Sequence, residues 1–154
     1  MITSKWYFGG SEIAVPLCLR EKIFLNNTNF VAAKEDEYDA VAMHVVFDWD
    51  NQPVATGRIF HDGSRFFIDS IGVLKEYRKR YVGDLLTRLL IYKTCQYASE
   101  IYLKTTSELI PFFSRYGFKI ANEESGAITV MKVAKTEIVF PSQCGEHDMS
   151  NIIS

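Results

Sequence analysis

Arg78, Lys79 and Arg80 stand in a row, with Gly83 three residues on, inside the stretch SIGVLKEYRKRYVGDLLTRLL at 70–90. An apolar strand runs into a cationic turn, and the turn opens into an amphipathic helix. Backbone N–H groups at a helix N-terminus, with cations beside them, form an anion site suited to a pyrophosphate. These residues point first to a phosphate-bearing cofactor. The sulfur-bearing residues point to no chemistry of their own. Cys18, Cys95 and Cys144 are widely spaced, and no pair has metal-ligand spacing. Cys144 and His147 supply two ligands, short of a zinc site, so no metal is expected. The three cysteines read as reduced thiols and the protein as cytoplasmic.

Holding that turn in place takes a strand before it and a helix after it. The strand is Arg65–Leu74. The helix runs from about Tyr81 to Ala98, with Val82, Leu85, Leu86, Leu89, Leu90 and Tyr97 on the period of a helix packed on a sheet. Glu100–Lys104 is then a strand, parallel to Arg65–Leu74 through a right-handed crossover. Ser107 caps a short helix, Glu108–Tyr116, and Gly117 ends it. Phe118–Asn122 and Ala127–Val133 pair around Ser125-Gly126. Upstream, Thr3–Phe8 is a strand, and a helix follows that starts at Ser11 or nearer Pro16 and runs to about Leu25. Ala40–Phe47 and Val54–Phe60 complete an antiparallel meander with Arg65–Leu74, its second link marked by Asp62-Gly63. The acidic run Glu35-Asp36-Glu37 reads as a solvated loop. The arrangement is α+β, with a mixed, mostly antiparallel sheet flanked by helices.

The chain has 154 residues, 47% of them hydrophobic and 23% charged, which fits one globular domain over 1–136. A tail follows over 137–154, with one more apolar run at Ile138–Phe140 that has the makings of a short strand. The formal net charge of −2 argues against general nucleic-acid binding, so the basic turn is a local, specific feature. No apolar run reaches membrane-span length, and MITSKWYFGG lacks the apolar core of a signal peptide. Exposed strands and an aromatic content of 14% are compatible with a homodimer.

Order and residues together resemble the GNAT-type N-acetyltransferases, from roughly Trp6 to Val133. The motif written [Q/R]-x-x-G-x-[G/A], after a strand ending in valine, stands here as Val73 followed by Arg78-Lys79-Arg80-Tyr81-Val82-Gly83. The segment written F-Y-x-x-x-G-F is here Phe112-Phe113-Ser114-Arg115-Tyr116-Gly117-Phe118. Arg20, Ile23-Phe24, the run Glu37 to His44, and Val54-Ala55-Thr56-Gly57-Arg58 are similar to the small bacterial ElaA-like branch.

The resemblance implies acetyl-CoA as co-substrate and an amine as acceptor. The pyrophosphate then lies on the N–H groups of Arg78, Lys79, Arg80, Tyr81, Val82, Gly83 and Asp84. The edge Ile71–Val73 bonds the pantetheine arm, and the Val73 N–H polarises the thioester carbonyl. Thr106 stands at an asparagine position that contacts the cofactor. Tyr81 replaces the first motif glycine, so its side chain must point away or lie along the cofactor. Phe113 occupies the position of a proton-donating tyrosine. Tyr116, one turn later, is the remaining candidate acid, its other reading being a packed tyrosine. The attacking amine must be neutral, which calls for a base or an ordered water. Asp69 is the carboxylate best placed for it, sharing a face with Ile71 and Val73 on the strand's period of two. His44 is second. Glu37 and Asp39 either attract a cationic amine or are solvated, and Arg58 pairs with an upstream acid. The implied activity is direct acetyl transfer to a primary amine of a small molecule or protein. The alternative is a catalytically weak acyl-CoA-binding sensor or interaction module.

Overall fold

The structure is a computed structural model that describes residues 1–25, 34–123 and 128–142. The expected turn at Ser125-Gly126, together with Cys144 and His147, lies outside the described residues. The elements are β1 (Ile2–Phe8), α1 (Ala14–Phe24), β2 (Met43–Trp49), β3 (Gln52–His61), β4 (Phe66–Val73), α2 (Val82–Cys95), β5 (Glu100–Thr106), α3 (Ile110–Ser114), β6 (Lys119–Glu123) and β7 (Ile128–Ala134). Seven strands form one sheet in the order β1-β2-β3-β4-β5-β7-β6. Every neighbouring pair is antiparallel except β4 with β5, as the crossover through α2 requires. Among the described residues no helix is long and apolar enough to cross a membrane.

Helices flank both faces. Val82, Leu86, Leu90 and Ile91 bury the sheet-facing stripe of α2, while Tyr92 stays exposed. Leu109, Phe112, Phe113 and Tyr116, in and around α3, join the same core over β5 and β7. On the other face α1 packs Leu19, Ile23 and Phe24 against Val46. Two glycines let the helices sit this close. A Cβ on Gly57 would lie 2.7 Å from Leu90 Cδ1 of α2, and one on Gly72 would lie 2.6 Å from Ile23 Cγ2 of α1. Each central strand thus gives up one side chain, on opposite faces.

Local signals account for most boundaries. Asp50 and Asn51, with φ of 49° and 67°, make the two-residue link from β2 to β3. Asp62 Oδ1 accepts from the N–H groups of Ser64 and Arg65 at 2.9 and 2.8 Å, closing the link from β3 to β4. Gly117 ends the α3 region at φ 100°. Pro16 falls in the first turn of α1, which a 3₁₀ turn at Gly10–Ile13 precedes.

Three details differ from expectation. Ser107 opens a 3₁₀ turn, Ser107–Leu109, and makes no capping hydrogen bond; Thr106 is the preceding cap residue. Residues 37–42 form turns, so β2 starts at Met43 rather than Ala40. Ile138–Phe140 forms no strand: the Val139 N–H donates to Tyr116 O at 3.0 Å, and Phe140 lies under the Arg88 guanidinium at 5.5 Å.

Candidate active site

The parallel seam between β4 and β5 is two pairs long, Phe67↔Tyr102 and Ile68↔Leu103. Beyond Ile68 the strands part and leave a fork. At that point β4 carries a bulge. Thr56 faces Gly72 and Arg58 faces Asp69, so Gly57 alone opposes Ser70 and Ile71, and Ser70 takes φ 53°. The extra residue resets the alternation. Ile71 and Val73 face α2, whereas Asp69 falls on the α1 face with its partner Arg58. The expectation that Asp69 shares a face with Ile71 and Val73 is therefore corrected, because one inserted residue moves everything before it to the other face.

The ladder also fixes where Val73 points. Leu74 N–H donates to Val54 O at 2.8 Å, which makes Val73↔Ala55 a pair not bonded to each other. The N–H and C=O of Val73 are thus directed away from β3, toward the fork. The carbonyl accepts from Arg78 Nε at 3.0 Å, which ties the basic turn to the end of β4.

The turn is built from left-handed residues. Lys79 has φ 64° and Tyr81 φ 62°, on either side of Arg80, the kind of alternation from which backbone anion nests are built. Tyr81 is the cap residue of α2 and gives no side-chain cap to its orphan N–H groups. The motif glycine thus matters for φ here, and Tyr81 holds that conformation with its side chain 38% exposed. Val82, Gly83 and Asp84 follow, all buried. Of the cations, Arg78 bonds the strand, Arg80 stacks over Trp49 and Tyr77 at 5.5 and 5.6 Å, and Lys79 is exposed.

On the α1 face a buried charge network borders the fork. The Arg58 guanidinium donates to Asp69 Oδ1 at 2.6 Å and Oδ2 at 3.1 Å, to Asp36 at 2.6 and 2.8 Å, and to Asp39 at 2.8 Å. Five bonds use all five of its N–H donors. Arg20 bonds both oxygens of Asp39, at 2.8 and 2.7 Å, and Lys34 O at 2.9 Å. Burial alone would raise the Asp39 carboxyl. The Arg20 and Asp36 backbone hydrogen bonds and both guanidinium charges outweigh it and hold the group at about 2. His44 Nε2 lies 3.0 Å from Asp39 O, and burial lowers its proton affinity. Glu35, Asp36 and Glu37 are exposed and outside any helix or strand, as expected of a solvated run, but Asp36 is also tied to Arg58. Asp39, fully buried, is unavailable to a cationic substrate, and Arg58 pairs with upstream acids as expected.

Tyr116 is fully buried, and its hydroxyl donates to Asp84. Burial, then that bond, raise its proton affinity. Arg88 Nε donates to the other Asp84 oxygen at 2.8 Å. Phe113 packs in the core, edge-on to Phe112 at 5.1 Å. Thr106 Oγ1 reaches Glu108 Oε2 only at 3.5 Å. Two features had no clear sequence signal. One is the Arg20–Asp39–Arg58 clamp, hinted at only by an arginine inside an apolar helix. The other is Thr105, 1% exposed, whose Oγ1 has no hydrogen-bond partner among the described residues. No group of three or more potential metal ligands occurs among the described residues.

A fork, a bulged strand and an uncapped helix start can be compared with known proteins. The model of the acetyltransferase (GNAT) domain matches residues 12–127. The chain belongs to the GNAT acetyltransferases. An uncharacterised relative, YyaT of Bacillus subtilis, is 27% identical over 119 residues, covering 74% of this chain and 80% of that protein. The crystal structure of Escherichia coli ElaA has a similar fold, with a TM-score of 0.73 at 21% identity over 86% of this chain and 99% of that one. Arabidopsis thaliana Naa50, in complex with the bisubstrate analogue CoA-Ac-MVNAL, gives a TM-score of 0.65 at 19% identity over 85% and 98%. This GNAT chain has Tyr81 in the turn, at φ 62°, and Phe113 on α3.

Proposed function

We propose that the protein transfers an acetyl group from acetyl-CoA to a primary amine by direct attack on the thioester. The observation that carries this reading is the direction of Val73, whose N–H faces the fork between β4 and β5. A single fixed donor there is preorganised for a carbonyl oxygen that gains negative charge. The residues fit the co-substrate. The N–H groups from Arg78 to Asp84 would hold the pyrophosphate, with Lys79 adding charge, and Ile71 and Val73 would take the pantetheine arm. Acetyl-CoA, when bound, supplies an activated thioester; the protein supplies binding and orientation.

Asp69 stands at the mouth of the fork on the α1 face. Arg58 takes one lone pair on each of its oxygens, and the others stay available to accept from an amine. In this proposal Asp69 receives and orients the acceptor nitrogen. Tyr116, its hydroxyl donating a hydrogen bond to Asp84, positions the first turn of α2. Phe113 and the commitment of Tyr116 also favour a second reading, a catalytically weak acyl-CoA sensor. Calorimetry with CoA, followed by thiol release from acetyl-CoA across a panel of amines, separates the two. Binding with turnover supports transfer, binding without turnover supports the sensor, and no binding rejects both.

A further inference from the structure

Three other threonine hydroxyls, as deeply buried as that of Thr105, are satisfied. Thr56, Thr87 and Thr94 donate to the carbonyls of Val45, Gly83 and Leu90 at 2.7, 2.7 and 2.8 Å. Thr105 differs. It is as buried as they are, yet its Oγ1 has no partner among the described residues. A buried hydroxyl without a partner lowers stability, and such groups concentrate where a ligand completes them.

Its position says which ligand. Ile101 and Leu103 point into the core under α2 and α3, and Thr105 follows them on the same face of β5. It lies two residues past Leu103, the last residue paired with β4. Counting the bulge at Ser70, the β4 residue at its level on that face is Ile71. Thr105 therefore stands on one bank of the fork, opposite the strand edge that holds the thioester in the proposed function. Of the two positions the family motif offers for a proton donor, Tyr116 donates to Asp84, and Phe113 has no proton to give.

We infer that the Thr105 hydroxyl donates a hydrogen bond to the sulfur of CoA, stabilising it as it departs. The inference rests on the acetyl-CoA reading above. In the reaction the nitrogen lone pair forms the C–N bond, and the C–S bond breaks with its electron pair on sulfur. The proton lost by nitrogen ends on that sulfur, and Thr105 is unchanged. A thiol with a pKa of about 8.5 leaves tolerably well as thiolate, so a donor suffices where a strong acid is missing.

The test compares CoA with desulfo-CoA on wild type, Thr105→Val and Thr105→Ser, by calorimetry above pH 9, where the thiol is ionised. For T105V the expected result is CoA binding weakened roughly tenfold, as for loss of a charge-assisted hydrogen bond. Desulfo-CoA affinity stays unchanged, and T105S behaves as wild type. The ligand-free T105V protein melts at the same temperature or higher, since an unsatisfied hydroxyl has been removed. Equal effects on both ligands, or none on CoA, overturn the role of Thr105. Failure of wild type to bind either ligand overturns the acetyl-CoA reading itself, so the two failures are distinguishable.

Discussion

The hydroxyl of Tyr116, beyond the end of α3, donates to the carboxylate of Asp84 in the first turn of α2. Asp84 is fully buried and also receives Arg88 Nε. One bond thus joins the late aromatic segment to the helix start that would meet the pyrophosphate. Tyr116→Phe should cost about 1–3 kcal/mol, as for a buried polar group left short of a partner. CoA affinity should fall with it, through loosening of α2. Thermal melts and calorimetry check this. Unchanged stability with a large loss of turnover would instead make Tyr116 a proton donor.

Arg58 satisfies three carboxylates at once. Arg58→Met leaves Asp36, Asp39 and Asp69 facing one another with Arg20 as the remaining cation of the clamp. The expected loss is roughly 3–5 kcal/mol, the range for breaking a buried pair from one side. Equilibrium urea unfolding measures it.

Acid stability has two windows. Asp39 sits at about 2 in the fold against 3.8 otherwise, so the folded state resists its protonation. Its contribution is complete above pH 3.8 and is lost as pH falls toward 2. His44 is lowered from 6.5 by burial, so the unfolded chain takes its proton first. Its contribution is complete above pH 6.5 and declines below that value. Unfolding free energy should fall in both windows. His44→Gln should remove the upper decline and leave the lower one.

At the turn, Tyr81→Gly should raise stability by about 0–1 kcal/mol, since glycine takes φ near 60° without steric cost but loses more chain entropy. Tyr81→Val should lower it, because a β-branched residue resists that conformation. Gly83→Glu should abolish CoA binding by crowding and charge, and at a buried position it should lower stability as well. Circular dichroism with calorimetry distinguishes these outcomes, and unchanged CoA affinity in G83E would place the pyrophosphate elsewhere.

Much of the fold was legible because its signals are local. Asp62-Gly63, Gly117, and the stripe of Val82, Leu86 and Leu90 mark links and faces through backbone sterics and periodicity. The parallel placement of β5 followed from the handedness of crossovers. The site was less legible. Ser70 gives no sign that it adopts φ 53°, because serine in that conformation is held there by its surroundings. That one residue decides which face Asp69 occupies. The clamp was hidden for a related reason: Asp36 and Asp39 look like solvent-facing acids until Arg58, some twenty residues later, is brought against them by β3. An orphan hydroxyl such as Thr105 is defined by what does not approach it, which no local pattern encodes.

The brevity of the seam between β4 and β5 has a mechanical consequence. Two rungs join a four-stranded raft, β1 to β4, to a three-stranded one, β5 to β7. An uninterrupted ladder would resist twisting between them; two rungs resist it weakly. The load passes to α2, which packs across β3, β4 and β5 and so acts as a splint over the joint. The basic turn leads directly into this splint, so an anion seated at the start of α2 would pull on both rafts together.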